Sequence, residues 1–144
     1  MKIAGIITEY NPFHNGHAYQ IEKVRQETDS DYVVIIMSGD FVQRGEPAML
    51  DKYVRAHMAL ENGADLVLEL PVAFACAGAE YFARGGVSIL NSLGCIDTLC
   101  FGTEQECLSD FEQVASLLSR EPVDFQQLLL SYLKKGIGYP AARS

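Results

Sequence analysis

Four short apolar runs alternate with helix-forming segments, and this alternation limits the fold more than any other feature of the chain. The runs cover residues 2–8, 32–37, 65–70 and 96–101. Residues 32–37 show no polar alternation, which is typical of a strand that is covered on both faces in a parallel sheet. Strands that alternate with helices predict an α/β fold with an open, mainly parallel sheet and helices on both faces.

Helix boundaries follow from glycine, proline and short polar residues. Helical spacing of apolar residues follows the first strand as far as a polar break at residues 29–31. A second helix is predicted from Asp51, a candidate N-cap, to Asn62, and Gly63 takes the position after it. Further helices are predicted over residues 75–93, 107–118 and 125–133.

The length of 144 residues suits one domain with a substantial core. We expect a single catalytic domain, with an α/β core over about residues 1–105 and a helical extension over about residues 106–144. Pro140 suits the first position of a helix for which few residues are left. We therefore expect the native protein to continue beyond Ser144.

Composition excludes several classes of protein. A net charge of -8 argues against a surface that binds nucleic acid unaided, because phosphate binding draws its affinity from clustered Lys and Arg. It does not exclude a nucleic-acid substrate. The apolar runs are too short to span a membrane and no leader opens the chain, so we expect a cytoplasmic protein without membrane contact. The four cysteines lack CxxC spacing, and we predict neither a zinc site nor disulfides.

Three polar segments follow predicted strands, at residues 9–17, 38–46 and 102–104. In an open α/β sheet the ligand binds outside the carboxyl ends of the strands. The fold would therefore bring these three segments around one crevice, although they are far apart in sequence.

The first of these segments contains His14 and His17, which bracket Gly16 where a helix is predicted to begin. Residues three apart share a helix face, and the first turn of a helix has unpaired N–H groups that favour an anion. The imidazoles can also donate hydrogen bonds to oxygens that gain negative charge during displacement at phosphorus. For an isolated pair of histidines, a helix cap and a surface residue are the commoner alternative.

The whole string Glu-Tyr-Asn-Pro-Phe-His-Asn-Gly-His at residues 9–17 resembles the HxGH nucleotidyltransferase superfamily, and within it the bacterial tRNA(Met) cytidine acetate ligases. The resemblance covers nearly the whole chain. Its further blocks are residues 37–48, 51–52, 59–67, 69–71 and 101–104.

This resemblance implies a Rossmann-like nucleotidyltransferase fold of the HUP type. It implies activation of acetate with ATP to acetyl-adenylate, followed by N4-acetylation of the wobble cytidine of elongator tRNA(Met). Two alternatives stay open: a metabolite adenylyltransferase of the pantetheine-phosphate or nicotinamide-mononucleotide type, and an ATP-binding fragment without turnover. No protein partner is inferred.

By the same resemblance, His14 and His17 would be catalytic, because they would stabilise the phosphates. Acetate is already a competent nucleophile, so no general base is needed, and Mg²⁺ is expected on the triphosphate. Gly102 would be a further nucleotide contact. The implied ATP-binding residues are Ile7, Thr8, Glu9, Tyr10, Asn11, Pro12, Phe13, His14, Asn15, Gly16, His17, Ala18, Tyr19, Gln20 and Gly102.

Four more residues are candidates for phosphate, acyl-group or tRNA contacts: Gln43, Arg44, Lys52 and Arg55. Alternatively, Lys52 and Arg55 form a solvated helix face and Arg44 ties its loop to Glu46. One signature of the superfamily is missing, a Ser/Thr-rich loop that ends in Lys or Arg and closes over the triphosphate. In the acetate ligases this loop, with most of the tRNA-binding region, would lie beyond residue 144.

Overall fold

A computed structural model describes residues 1–103 and 107–143 of the chain. The chain divides into two compact units, Met1–Gly102 and Thr103–Ser144. The first unit holds the described strands, and the second is helical. Glu104, part of the third predicted polar segment, lies outside the described residues.

The predicted parallel sheet is confirmed. Its strands run in the order β3-β2-β1-β4, and each neighbouring pair is parallel. The edge strand β4 is shorter than the predicted run at residues 96–101. The strands are β1 (Ile3–Thr8), β2 (Tyr32–Ser38), β3 (Leu66–Leu70) and β4 (Thr98–Cys100).

Two apolar layers cover the sheet, one on each face, and β2 supplies both. Val33, Ile35 and Met37 belong to the layer on one face, whereas Val34 and Ile36 belong to the layer on the other. All five side chains are buried, which explains why this run lacks polar alternation. Each such side chain stabilises the fold by roughly 1.5–3 kcal/mol relative to an exposed one.

The helices of the first unit are α1 (Asn15–Thr28), α2 (Lys52–Glu61), α3 (Val72–Ala75) and α4 (Ala79–Leu93). Asp51 caps α2 as predicted, because its carboxylate accepts from the Tyr53 amide at 2.8 Å. Gly63 follows with φ of 100°, a left-handed angle that glycine adopts without steric cost.

The helix predicted over residues 75–93 is present as α4, but it begins later than predicted, at Ala79. Pro71 starts a one-turn helix, α3, and Gly78 then has extended backbone angles, with φ of -65° and ψ of 162°. The apolar spacing continues across this break, and the spacing alone therefore concealed it. The break turns the chain before α4, where Gly85 and Gly86 let the helix approach Phe74 and Ile7.

Three aspartates bind neighbouring segments together at the amino edge of the sheet. Each of them lies just before one of the strands β2, β3 and β4. Asp31, Asp65 and Asp97 each donate a backbone N–H to a neighbouring segment and accept one back through the carboxylate. The partners are Lys2, Val33 and Ile3, and the bonds are 2.7–2.9 Å long. These paired bonds set the register of β2, β3 and β4.

The second unit contains α5 (Leu108–Arg120), α6 (Val123–Lys134) and α7 (Tyr139–Arg143). The two helices predicted over residues 107–118 and 125–133 are thus present with slightly longer spans. Of the helices in the described residues, none is long and apolar enough to cross a membrane.

Candidate active site

The turn after β1 brings the histidine motif to the carboxyl edge of the sheet. Tyr10 has φ of 47°, and the following Asn11–Pro12 peptide bond is cis. The Tyr10 ring is buried, with its centroid 4.8 Å from that of Phe13 and 4.7 Å from that of His17. The buried Tyr10 ring therefore packs against the histidine motif.

His14 is the N-cap of α1, and both histidines take part in the cap. The Nδ1 atom of His14 accepts from the Gly16 amide at 3.1 Å, and Nδ1 of His17 accepts from the His14 amide at 3.3 Å. An accepting Nδ1 carries no proton, so the proton of the neutral ring lies on Nε2. The capping alternative is therefore realised, and it leaves each ring with one N–H donor for a ligand.

The two imidazole rings lie against each other, with centroids 3.7 Å apart and planes 22° apart. Burial, and then repulsion from His14, lower the pKa of His17 below its ordinary value. Near neutral pH His17 is therefore uncharged, which preserves the tautomer that the cap requires.

The loop after β2 is tied to the histidine turn at two points. The Gln43 amide donates to Glu9 Oε1 at 2.7 Å, and the Met49 amide donates to Asn11 Oδ1 at 2.7 Å. The second predicted polar segment thus lies beside the first, as expected for neighbouring parallel strands. The Glu9 carboxylate thus accepts a hydrogen bond from the loop, and its predicted contact with ATP stays a prediction.

Lys52 lies at the carboxyl edge and is already paired. Its Nζ is 2.8 Å and 3.0 Å from the two carboxylate oxygens of Glu69 and 3.7 Å from Asp40. The hydrogen bond to Glu69 raises the pKa of Lys52. Arg44 is exposed and has φ of 67°, and Gln43 is half-buried. Ligand contacts by Gln43, Arg44 and Lys52 stay predictions.

Arg55 lies elsewhere than sequence reasoning placed it. Its side chain is buried, with an exposed fraction of 0%, and does not belong to a solvated helix face. The guanidinium donates to the carbonyls of Leu50 at 3.0 Å, Glu9 at 2.6 Å and Gly39. Because the guanidinium is buried and donates to three carbonyls, it does not face a phosphate, an acyl group or tRNA.

Gly102 follows β4, on the other side of β1, and lies next to α1. A Cβ atom added to Gly102 would lie 3.7 Å from Nε2 of Gln20, the last residue of the predicted ATP-binding segment. Residues 7–8 end β1, residues 9–13 form the turn, and residues 15–20 form the first turns of α1. The predicted nucleotide contacts are thus neighbours in space, although their role as contacts stays a prediction.

Two hydroxyl groups are buried at this edge, one on Tyr10 in the predicted ATP-binding segment and one on Ser38 in the second polar segment. Tyr10 Oη and Ser38 Oγ lack a hydrogen-bond partner within the described part of the chain, and both side chains are almost fully buried. Burial also raises the pKa of the Tyr10 phenol. A polar residue at the end of an otherwise apolar strand was the only available signal for Ser38.

A model of the family named HIGH Nucleotidyl Transferase matches residues 1–144. The chain belongs to this nucleotidyltransferase family. Among curated relatives, the tRNA(Met) cytidine acetate ligases of Clostridium novyi and Alkaliphilus metalliredigens are each 51% identical over 144 residues. These matches cover 100% of this chain but only 36% and 34% of the relatives, so the chain spans about a third of their length.

Solved structures of the nucleotidyltransferase family agree with the fold. Thermotoga maritima TmcAL bound with alpha-thio ATP matches with a TM-score of 0.93 and 45% identity, and its apo form matches with a TM-score of 0.94. Each match covers 99% of this chain and 34% of the other. The predicted Rossmann-like nucleotidyltransferase fold is therefore confirmed.

Proposed function

We propose that this chain binds ATP at the His14–His17 edge and belongs to an enzyme that activates acetate and acetylates the wobble cytidine of elongator tRNA(Met). The observation that carries the proposal is the shared cap of α1. It holds two imidazole Nε2–H donors at a helix N-terminus, in a chain 45% identical to a TmcAL that was solved with an ATP analogue.

The chemistry requires no acid or base from this edge. An acetate oxygen would attack the α-phosphorus of ATP, a new P–O bond would form, and the bond to the bridging oxygen would break to release pyrophosphate. Negative charge then grows on phosphate oxygens, where the donors of His14 and His17 stabilise the transition state. In a second step the N4 amine of cytidine would attack the acetyl carbonyl, AMP would leave and the amine proton would pass to solvent.

Magnesium would accompany the nucleotide rather than occupy a site built by this chain. Residues 1–103 and 107–143 contain no group of three or more His, Cys, Asp or Glu side chains that could hold a metal ion. Asp40 and Glu69, two carboxylates at this edge, share Lys52. A bound Mg²⁺ would neutralise charge on the triphosphate.

Acetate-dependent exchange of labelled pyrophosphate into ATP tests the proposal. The Clostridium novyi relative serves as a positive control because it is nearly three times as long. We expect acetate to support exchange and phosphate monoesters such as phosphopantetheine to fail. Exchange that requires a monoester instead would favour the metabolite adenylyltransferase.

A nucleotide-binding part without turnover is the second candidate, because the chain spans only about a third of its relatives. Calorimetry with ATP separates the two. Binding of ATP by this chain without exchange, beside acetate-dependent exchange by the longer relative, would assign nucleotide binding alone to residues 1–144. Failure to bind ATP would refute both candidates.

A further inference from the structure

The Arg55 guanidinium joins three segments that meet at the carboxyl edge of the sheet. Its Nη1 donates to the carbonyl of Glu9, directly after β1, and its Nη2 donates to that of Gly39, directly after β2. Its Nε donates to the carbonyl of Leu50, in the loop before α2. One planar group therefore sets the distances among three backbone segments that are remote in sequence.

This contact leads directly to the histidines. Glu9 precedes Tyr10, and the Tyr10 ring supports that of His17 at 4.7 Å. Arg55 also donates to Leu50 in the loop before α2. In the same loop, the adjacent Met49 amide donates a hydrogen bond to Asn11. Displacement of Glu9 would thus move the ring that packs against His17.

The charge of Arg55 is balanced in an unusual way. Among the described residues no carboxylate forms an ion pair with it, and its three acceptors are neutral carbonyls. Carboxylates stand farther off, at Asp40, Asp51, Glu9 and Glu69. Burial of a charged guanidinium for carbonyl contacts alone is costly, which indicates a role for Arg55 beyond stability.

We infer that Arg55 is a positioning residue, which holds the turn after β1 so that the Nε2–H groups of His14 and His17 converge on the phosphates of ATP. The inference rests on the proposed function for its ligand. Lysine cannot replace arginine here, because a single ammonium cannot span three carbonyls that the five N–H donors of a guanidinium reach in one plane.

Arg25 supplies a matched control at the opposite edge of the sheet. It too bridges backbone carbonyls, donating to Asp31 at 2.9 Å and to Gly63 at 2.8 Å, and it forms an ion pair with Asp65. Both arginines hold the ends of strands, but only Arg55 lies at the histidine edge. Arg25→Lys and Arg55→Lys therefore separate a general loss of fold stability from a loss of position.

The deciding measurement is the NMR signature of the histidine rings, supported by exchange kinetics and thermal unfolding. We expect Arg55→Lys to shift the imidazole resonances of His14 and His17. The resonances of His57, which is exposed, should stay as in wild type. It should lower kcat for exchange roughly 10- to 100-fold, with a change in KM below about threefold. Arg25→Lys should lower Tm without either change, because its contacts lie at the amino edge.

Unchanged resonances of His14 and His17 in folded Arg55→Lys, or equal shifts in Arg25→Lys, would overturn the inference. If Arg55→Lys does not fold, Arg55→Gln, an uncharged planar side chain that cannot reach all three carbonyls, must produce the same shifts. Unchanged rings in that variant would likewise overturn it. The NMR result needs no acetate, so failure of acetate-dependent exchange would refute the proposed function while the role of Arg55 is still tested.

Discussion

The two edges of the parallel sheet are each held by an arginine, and the two arginines are compensated differently. At the amino edge, Arg25 donates to the carbonyls of Asp31 and Gly63 and is neutralised by Asp65. At the carboxyl edge, Arg55 is completely buried, and its hydrogen-bond acceptors among the described residues are all backbone carbonyls.

Several other polar groups also differ between the two edges. The aspartates before β2, β3 and β4 each make reciprocal hydrogen bonds to a neighbouring segment, which closes the amino edge. At the carboxyl edge, the buried hydroxyls of Tyr10 and Ser38 and the Nε2 donors of the two histidines can still form hydrogen bonds to a ligand. Fully paired polar groups favour stability, whereas unpaired groups and positive φ angles concentrate where ligands bind.

The largest effect should come from the two histidines. His14→Ala or His17→Ala removes one donor to the phosphates, and we expect a loss of roughly 10²–10³ in kcat for pyrophosphate exchange. The affinity for ATP, measured by calorimetry, should fall less. His57→Ala is the control, because His57 is exposed and pairs with Glu61. Equal losses in kcat and affinity would make the histidines ordinary binding residues and weaken the contrast between the edges.

A substitution at the amino edge should affect stability alone. Asp65→Ala removes the charged acceptor of the Val33 amide, 2.7 Å away, and the partner of Arg25. We expect a loss of about 2 kcal/mol in the free energy of unfolding, mostly from the charged hydrogen bond, because the half-exposed ion pair is screened by solvent. Urea denaturation measures this loss. A parallel loss of ATP affinity would show that the two edges are coupled.

The smallest effect should be a dependence of stability on pH that originates at the carboxyl edge. The pKa of His17 is lowered in the folded protein, so the unfolded chain binds its proton more readily. Its contribution to stability should be complete above the unfolded pKa of about 6.5 and decrease as the pH falls toward the folded value. Denaturation of wild type and His17→Gln between pH 7.5 and 5 tests this. Identical pH slopes would contradict it.

Much of the fold could be predicted because buried strands and helix caps have local signatures. The apolar run in β2, the cap at Asp51 and Gly63 each depend on residues close in sequence. The limits of β4 were less predictable, because this strand pairs with β1 alone in the sheet order and its length depends on that pairing. The break at Gly78 also escaped prediction, since apolar spacing continues through it.

The candidate site divides in the same way. The sequence alone determined the histidine motif, its place between a strand and a helix, and the family it resembles, because these depend on neighbouring residues. Only the tertiary structure decided that Arg55 is buried and that Lys52 is paired with Glu69. The helical spacing of Lys52 and Arg55 permits both to face solvent. Their partners include residues that follow β1 and β2 and one on β3, and only the folded sheet brings those segments together.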